Sequence, residues 1–172
     1  MLDRAIDRLA QVIAPLVIYA SWLSRTASAD SMDTLLLALY GSIIIPVALY
    51  RLVYRIVWSL SYFHGLPLFV HGGLLLTSIV SGAPINPLIL VAAAIMSALP
   101  VKYFRTSGRG KPSPMAAPRL LLVALLALLP YDNIVVRQAA NTVKWLLIAY
   151  LATGPLLYYI MGRGRAHELG SH

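Results

Sequence analysis

Six apolar runs, near residues 8–23, 34–50, 65–81, 85–101, 117–131 and 142–161, make up well over half of this chain. A helix rises about 1.5 Å per residue, so a run of roughly 17–20 residues matches the roughly 30 Å hydrocarbon core of a bilayer. The first and fifth runs are shorter and need thinning of the bilayer or help from their flanks. Leu and Ala prevail, and polar and apolar residues do not alternate as they would along the strands of a barrel. Only 12% of the residues are charged and 59% are hydrophobic, whereas a soluble domain has about 25% charged residues. These features predict an all-α fold: a polytopic integral membrane helix bundle of about six transmembrane helices over residues 1–162. A basic cytoplasmic loop is expected at 102–118 and a flexible tail at 163–172. Arg4 and Arg8 before the first run, and Ala27-Ser28-Ala29 after it, resemble a secretory leader. Arg25 beside that site, with Asp3 and Asp7 in the head region, weakens the match, so the first run reads as a retained helix.

The cations set the expected sidedness. With the N-terminus cytoplasmic, eleven Lys and Arg fall inside (Arg4, Arg8, Arg51, Arg55, Lys102, Arg105, Arg109, Lys111, Arg119, Arg163 and Arg165). Three, Arg25, Arg137 and Lys144, fall outside. That bias predicts a multi-pass cell-membrane protein with both termini cytoplasmic. The net charge of +8 then reflects loops against anionic lipid headgroups rather than directly bound nucleic acid. Arg51 and Arg55 lie one turn apart at the inner end of the second run, beside Tyr50, Tyr54 and Trp58. This pattern suits the headgroup zone, where aromatic rings and snorkelling cations both settle. In the loop "KYFRTSGRGKPSPMAAP", Lys102, Arg105, Arg109 and Lys111 form a further expected lipid or partner contact.

The runs also hint at a repeat. Pro46, Pro100 and Pro155 recur near the inner ends of the second, fourth and sixth runs, each followed by an aromatic residue and arginine. Asn86 and Asn141 each precede a proline by 14 residues. Three helical hairpins would fit this spacing, with the prolines as hinges, because a proline inside a helix frees a carbonyl and kinks it.

Candidate chemistry is sparse. "FHGLPLFVHGG" carries His64 and His71, seven residues apart and therefore on one face if both are helical. No histidine in another run faces them as a second haem ligand, and Met96 is the best-placed methionine to substitute. No carboxylate stands beside them for a metal hydrolase. His71 within the run reads as an imidazole bonded to a neighbouring helix, or as a pH-sensing or pathway-lining group. Gly72 and Gly73, with Ala92, Ala93 and Ala94 of the fourth run, predict close packing of the third and fourth helices. Asn86 and Asn141 join His71 as candidate pathway or packing residues. The chain has no cysteine, no phosphate-binding loop and no dinucleotide fingerprint, so no cofactor, metal or catalytic residue is expected.

Three functions remain open. A channel or transporter-like bundle is favoured, and its small interior suggests a homo-oligomer as the working unit. A non-catalytic membrane subunit of a secretion, DNA-transfer or respiratory complex is second. An intramembrane or lipid-modifying enzyme is third.

Overall fold

The computed structural model describes residues 2–26, 30–57, 62–104 and 133–169. The expected fifth span at 117–131, most of the basic loop with Arg105, Arg109 and Lys111, and the side chain of Arg55 lie outside the described residues.

The fold is all-α, with 85% of the described residues in helices. The helices are α1 (Leu2–Thr26), α2 (Ser31–Val57), α3 (Leu68–Ser81), α4 (Pro87–Ala98) and α5 (Ile134–Leu169). Their ends follow local chemistry. Asn86 caps α4: its side chain accepts from the Leu88 N–H at 2.9 Å, and Pro87 follows at the first helical position, where its missing N–H costs nothing. Asn133 caps α5 in the same way through the Val135 N–H, at 3.1 Å. Gly82 ends α3 in the left-handed region, φ 66°, with its N–H on the Ile79 carbonyl, a backbone state open to glycine.

Two short strands also form, β1 (Tyr62–His64) and β2 (Lys102–Phe104), paired antiparallel with Phe63 opposite Tyr103. Composition gave no hint of them. They correct three expectations. His64 lies in β1, so it does not share a helix face with His71. The third helix begins at Leu68, not 65, because Gly65 (φ 68°) and Pro67 interrupt the backbone ahead of it. The fourth ends at Ala98, because Leu99, restricted by the proline after it, is extended at ψ 146°. Pro100 therefore stands outside any helix and cannot act as a hinge, whereas Pro46 and Pro155 are helix-interior. Pro15, inside α1, is a third interior proline.

Core faces follow helical spacing: Val12, Tyr19 and Leu23 on α1; Tyr40, Ile44 and Ala48 on α2; Ala140, Val143 and Leu147 on α5. Helix α4 packs chiefly on α2, and α3 packs against α1 and α5. The expected close pairing of α3 with α4 is therefore not the main packing; the small residues Gly72, Gly73, Ala93 and Ala94 are buried, but most of the packing around them involves the other helices. Gly41 brings α2 close to α1, where an added Cβ would lie 3.4 Å from the Leu16 side chain.

Among the described residues, Ser31–Arg51 is the one helical stretch long and apolar enough to cross a membrane. At 14 and 12 residues, α3 and α4 reach only about 21 and 18 Å. Polarity is distributed unusually. Val17, Leu35, Tyr50, Leu88, Trp145 and Leu146 are more than half exposed, whereas His71, Thr77, Ser78, Ser97 and Lys144 are buried. Only 22% of the most apolar stretch of α2 is buried.

Candidate functional site: a polar node between the helices

His71 sits on the buried face of α3 with no exposed surface. Its two ring nitrogens meet different helices. Nδ1 lies 3.2 Å from the Tyr40 hydroxyl on α2, and Nε2 lies 2.7 Å from Ser97 Oγ on α4. Ser97 Oγ–H in turn donates to the Leu66 carbonyl at 3.1 Å. Because the serine proton is committed to that carbonyl, Ser97 accepts from His71. The imidazole then carries its proton on Nε2, and Tyr40 donates to Nδ1. The chain of donors runs one way, from Tyr40 through His71 and Ser97 to Leu66.

The Leu66 carbonyl also accepts from Arg51 Nη1. A carbonyl oxygen has two lone pairs, and both are used here. The rest of this non-helical segment is equally tied down. The Gly65 N–H donates to the Val101 carbonyl at 2.6 Å, and the Leu66 N–H donates to the Met96 carbonyl at 3.2 Å. Irregular backbone inside a bundle must satisfy its polar groups within the protein, and residues 65–67 do so by tying themselves to the end of α4. Glycine is required at 65: a Cβ there would lie 2.3 Å from both Arg51 Nη2 and the Ser97 carbonyl, and φ is +68°.

Arg51 departs from the headgroup-anchor expectation. Its side chain is part-buried and turned onto Leu66, and its Nη2 is buried with no acceptor among the described residues. The bond is to a carbonyl of the non-helical segment ahead of α3, which the fold brings beside α2. Lys144 repeats the theme at the far end of α3. Counted as an outer-side cation, it is in fact buried, and its Nζ donates to the Ala83 carbonyl at 2.9 Å and to Ser81 Oγ at 3.3 Å, just past α3. Both cations, each from a long helix, thus bond a carbonyl that flanks α3: Arg51 ahead of its first turn and Lys144 past its last. The Tyr19 hydroxyl reaches the Ile85 carbonyl in the same α3–α4 turn, at 3.4 Å.

Tyr103 of β2 is buried and donates to the Leu151 carbonyl of α5 at 3.2 Å. Burial pushes its phenol up to about 12, against an opposing pull from the Arg51 guanidinium. The ring lies against Gly154, where a Cβ would come within 2.5 Å of it.

Of the residues the sequence singled out, the structure brings His71 and Arg51 into one network. Asn86 serves as a helix cap at the other end of α4, and Asn141 is part-buried within α5, so the two are not equivalent members of a repeat. Lys102 is exposed on β2. Tyr40, Gly65, Leu66, Ser97 and Tyr103 were missed. Only Gly65-Leu66-Pro67 carried a signal, as a glycine–proline interruption next to an apolar run. Among the described residues no cluster of His, Asp and Glu could hold a metal ion.

The class defined by fold and site is a small all-α bundle with large apolar side chains on its outer faces and a hydrogen-bonded polar node within a mainly apolar core. No protein-family model, curated protein or solved structure matches the chain.

Proposed function

We propose that this chain is a multi-pass membrane protein of transporter-like or channel type, sited in the cell membrane with both termini cytoplasmic. The observation that carries the reading is the apolar exterior: large apolar side chains stand exposed on α1, α2, α4 and α5, around a mainly apolar core that also holds His71, Ser97, Thr77 and Lys144. In water such a surface would be a liability; in lipid it is the matching solvent. Helices α3 and α4 resemble the short, interrupted segments from which transporters build substrate sites, since irregular backbone is tolerated at depth where protein encloses it. The sequence has no acidic residue between Asp33 and Asp132, and the described interior carries Arg51 and Lys144. An anionic or neutral solute fits that interior better than a cation.

The test is flux in proteoliposomes with chloride, phosphate, potassium and a neutral polyol. Anion or polyol flux that is altered by Ser97→Ala supports the reading; silence toward all four overturns it.

A second reading, a non-catalytic membrane subunit of a larger assembly, is favoured by one observation. Both nitrogens of His71 are occupied by protein groups and none of its surface is exposed, as in a solid structural joint. Recovery of a fixed-stoichiometry complex from native membranes in mild detergent supports it, and a lone particle counts against it.

A further inference from the structure

We propose that Tyr103 latches the proline bend of α5, coupling the β1–β2 ribbon to the geometry of the longest helix. Pro155 has no N–H, so the carbonyl four residues back, that of Leu151, loses its intrahelical donor. That carbonyl is the one to which Tyr103 donates, at 3.2 Å. The fit is specific in space as well. Gly154 leaves room for the ring, since a Cβ there would meet two Tyr103 ring carbons at 2.5 and 2.7 Å. Thr153 Oγ1, bonded back to the Ala149 carbonyl at 2.8 Å, adds a bend in the same turn. The ribbon that carries Tyr103 is itself fixed, because Phe63 pairs with Tyr103 and the chain after β1 enters the Leu66 knot. The inference does not depend on whether the bundle conducts a solute.

A double-mutant cycle tests it. The chain has no cysteine, so spin labels at Gln138→Cys and Leu156→Cys report the bend of α5 across the proline. Tyr103→Phe keeps the ring and removes the donor; it is expected to shift or broaden the label distance distribution. Pro155→Ala restores the intrahelical donor, so Tyr103→Phe in that background is expected to change nothing. An unchanged distribution for Tyr103→Phe with Pro155 present overturns the proposal. So does an equal shift with and without the proline. A control pair, Leu39→Cys with Ile95→Cys, is expected to stay fixed; if it moves with Tyr103→Phe, the effect is global and the latch is excluded.

Discussion

His71 Nε2 lies 2.7 Å from Ser97 Oγ, joining α3 to α4 across 26 residues of sequence. The bond is buried, and its donor direction is fixed by the serine's own bond to Leu66. Ser97→Ala therefore strips the acceptor from His71 and one donor from the Leu66 carbonyl. Leaving a buried donor unpaired costs about 1–3 kcal/mol. His71→Phe removes both ring nitrogens, and combining it with Ser97→Ala is expected to cost less than the sum of the two single changes. Thermal unfolding of the four proteins in detergent measures the difference; strict additivity would mean the contact contributes nothing.

Gly65→Ala is expected to be the most damaging small substitution in the chain. The added methyl meets the Ser97 carbonyl and Arg51 Nη2, both at 2.3 Å, on a residue with φ +68°. Steric overlap with backbone and a left-handed conformation act together, for a loss above about 3 kcal/mol. Gly82→Ala is the comparison. It shares the positive φ, at 66°, but its Cβ meets only Arg137 at 3.9 Å, so its loss should be near 1 kcal/mol. Equal losses at the two positions, in yield and unfolding temperature, would contradict the packing described at Gly65.

Lys144→Met keeps the length of the side chain and removes the donor to the Ala83 carbonyl and Ser81. The α3–α4 turn then loses its charge-assisted bond, a change of roughly 1.5–3 kcal/mol. Hydrogen exchange of the Gly82 amide, which caps α3, is the local reading. Faster exchange there, with no change at Leu99, is the expected result.

Tyr103 gives a pH dependence of defined sign. Its folded-state value is raised to about 12, above the unfolded value near 10. The neutral phenol is therefore the form the fold holds. Its contribution is whole below about pH 10 and declines as pH climbs toward about 12. The stability gap between the wild type and Tyr103→Phe should be constant from pH 7 to 9 and narrow above pH 10. Chemical denaturation along that series decides it, and a gap that widens at high pH would reverse the assignment of Tyr103 as donor.

Several elements were legible without coordinates. The helical runs and the interior placement of Pro46 and Pro155 follow from composition and local rules. So does the burial of His71, the one histidine within an apolar run. The network around it was not legible. Tyr40 and Ser97 lie 31 and 26 residues from His71, and neither differs in sequence context from the other tyrosines and serines of the chain. The Arg51 contact was not legible because its partner, the Leu66 carbonyl, belongs to non-helical backbone that only the tertiary fold brings beside α2. Pro100 was misjudged because an apolar run does not announce where its helix ends. The bond of Lys144 was not legible because its partner, the carbonyl of Ala83, belongs to backbone that has no signature of its own.

The chain by itself determined that it would be mostly helical and roughly where the apolar helical runs would lie, because these depend on neighbours within a few positions. Only the tertiary arrangement decided which polar groups meet: His71 with Tyr40 and Ser97, Arg51 with Leu66, Lys144 with Ala83, Tyr103 with Leu151. Those pairings join distant segments, and they are selected because each leaves a buried donor or carbonyl satisfied that no local partner could reach.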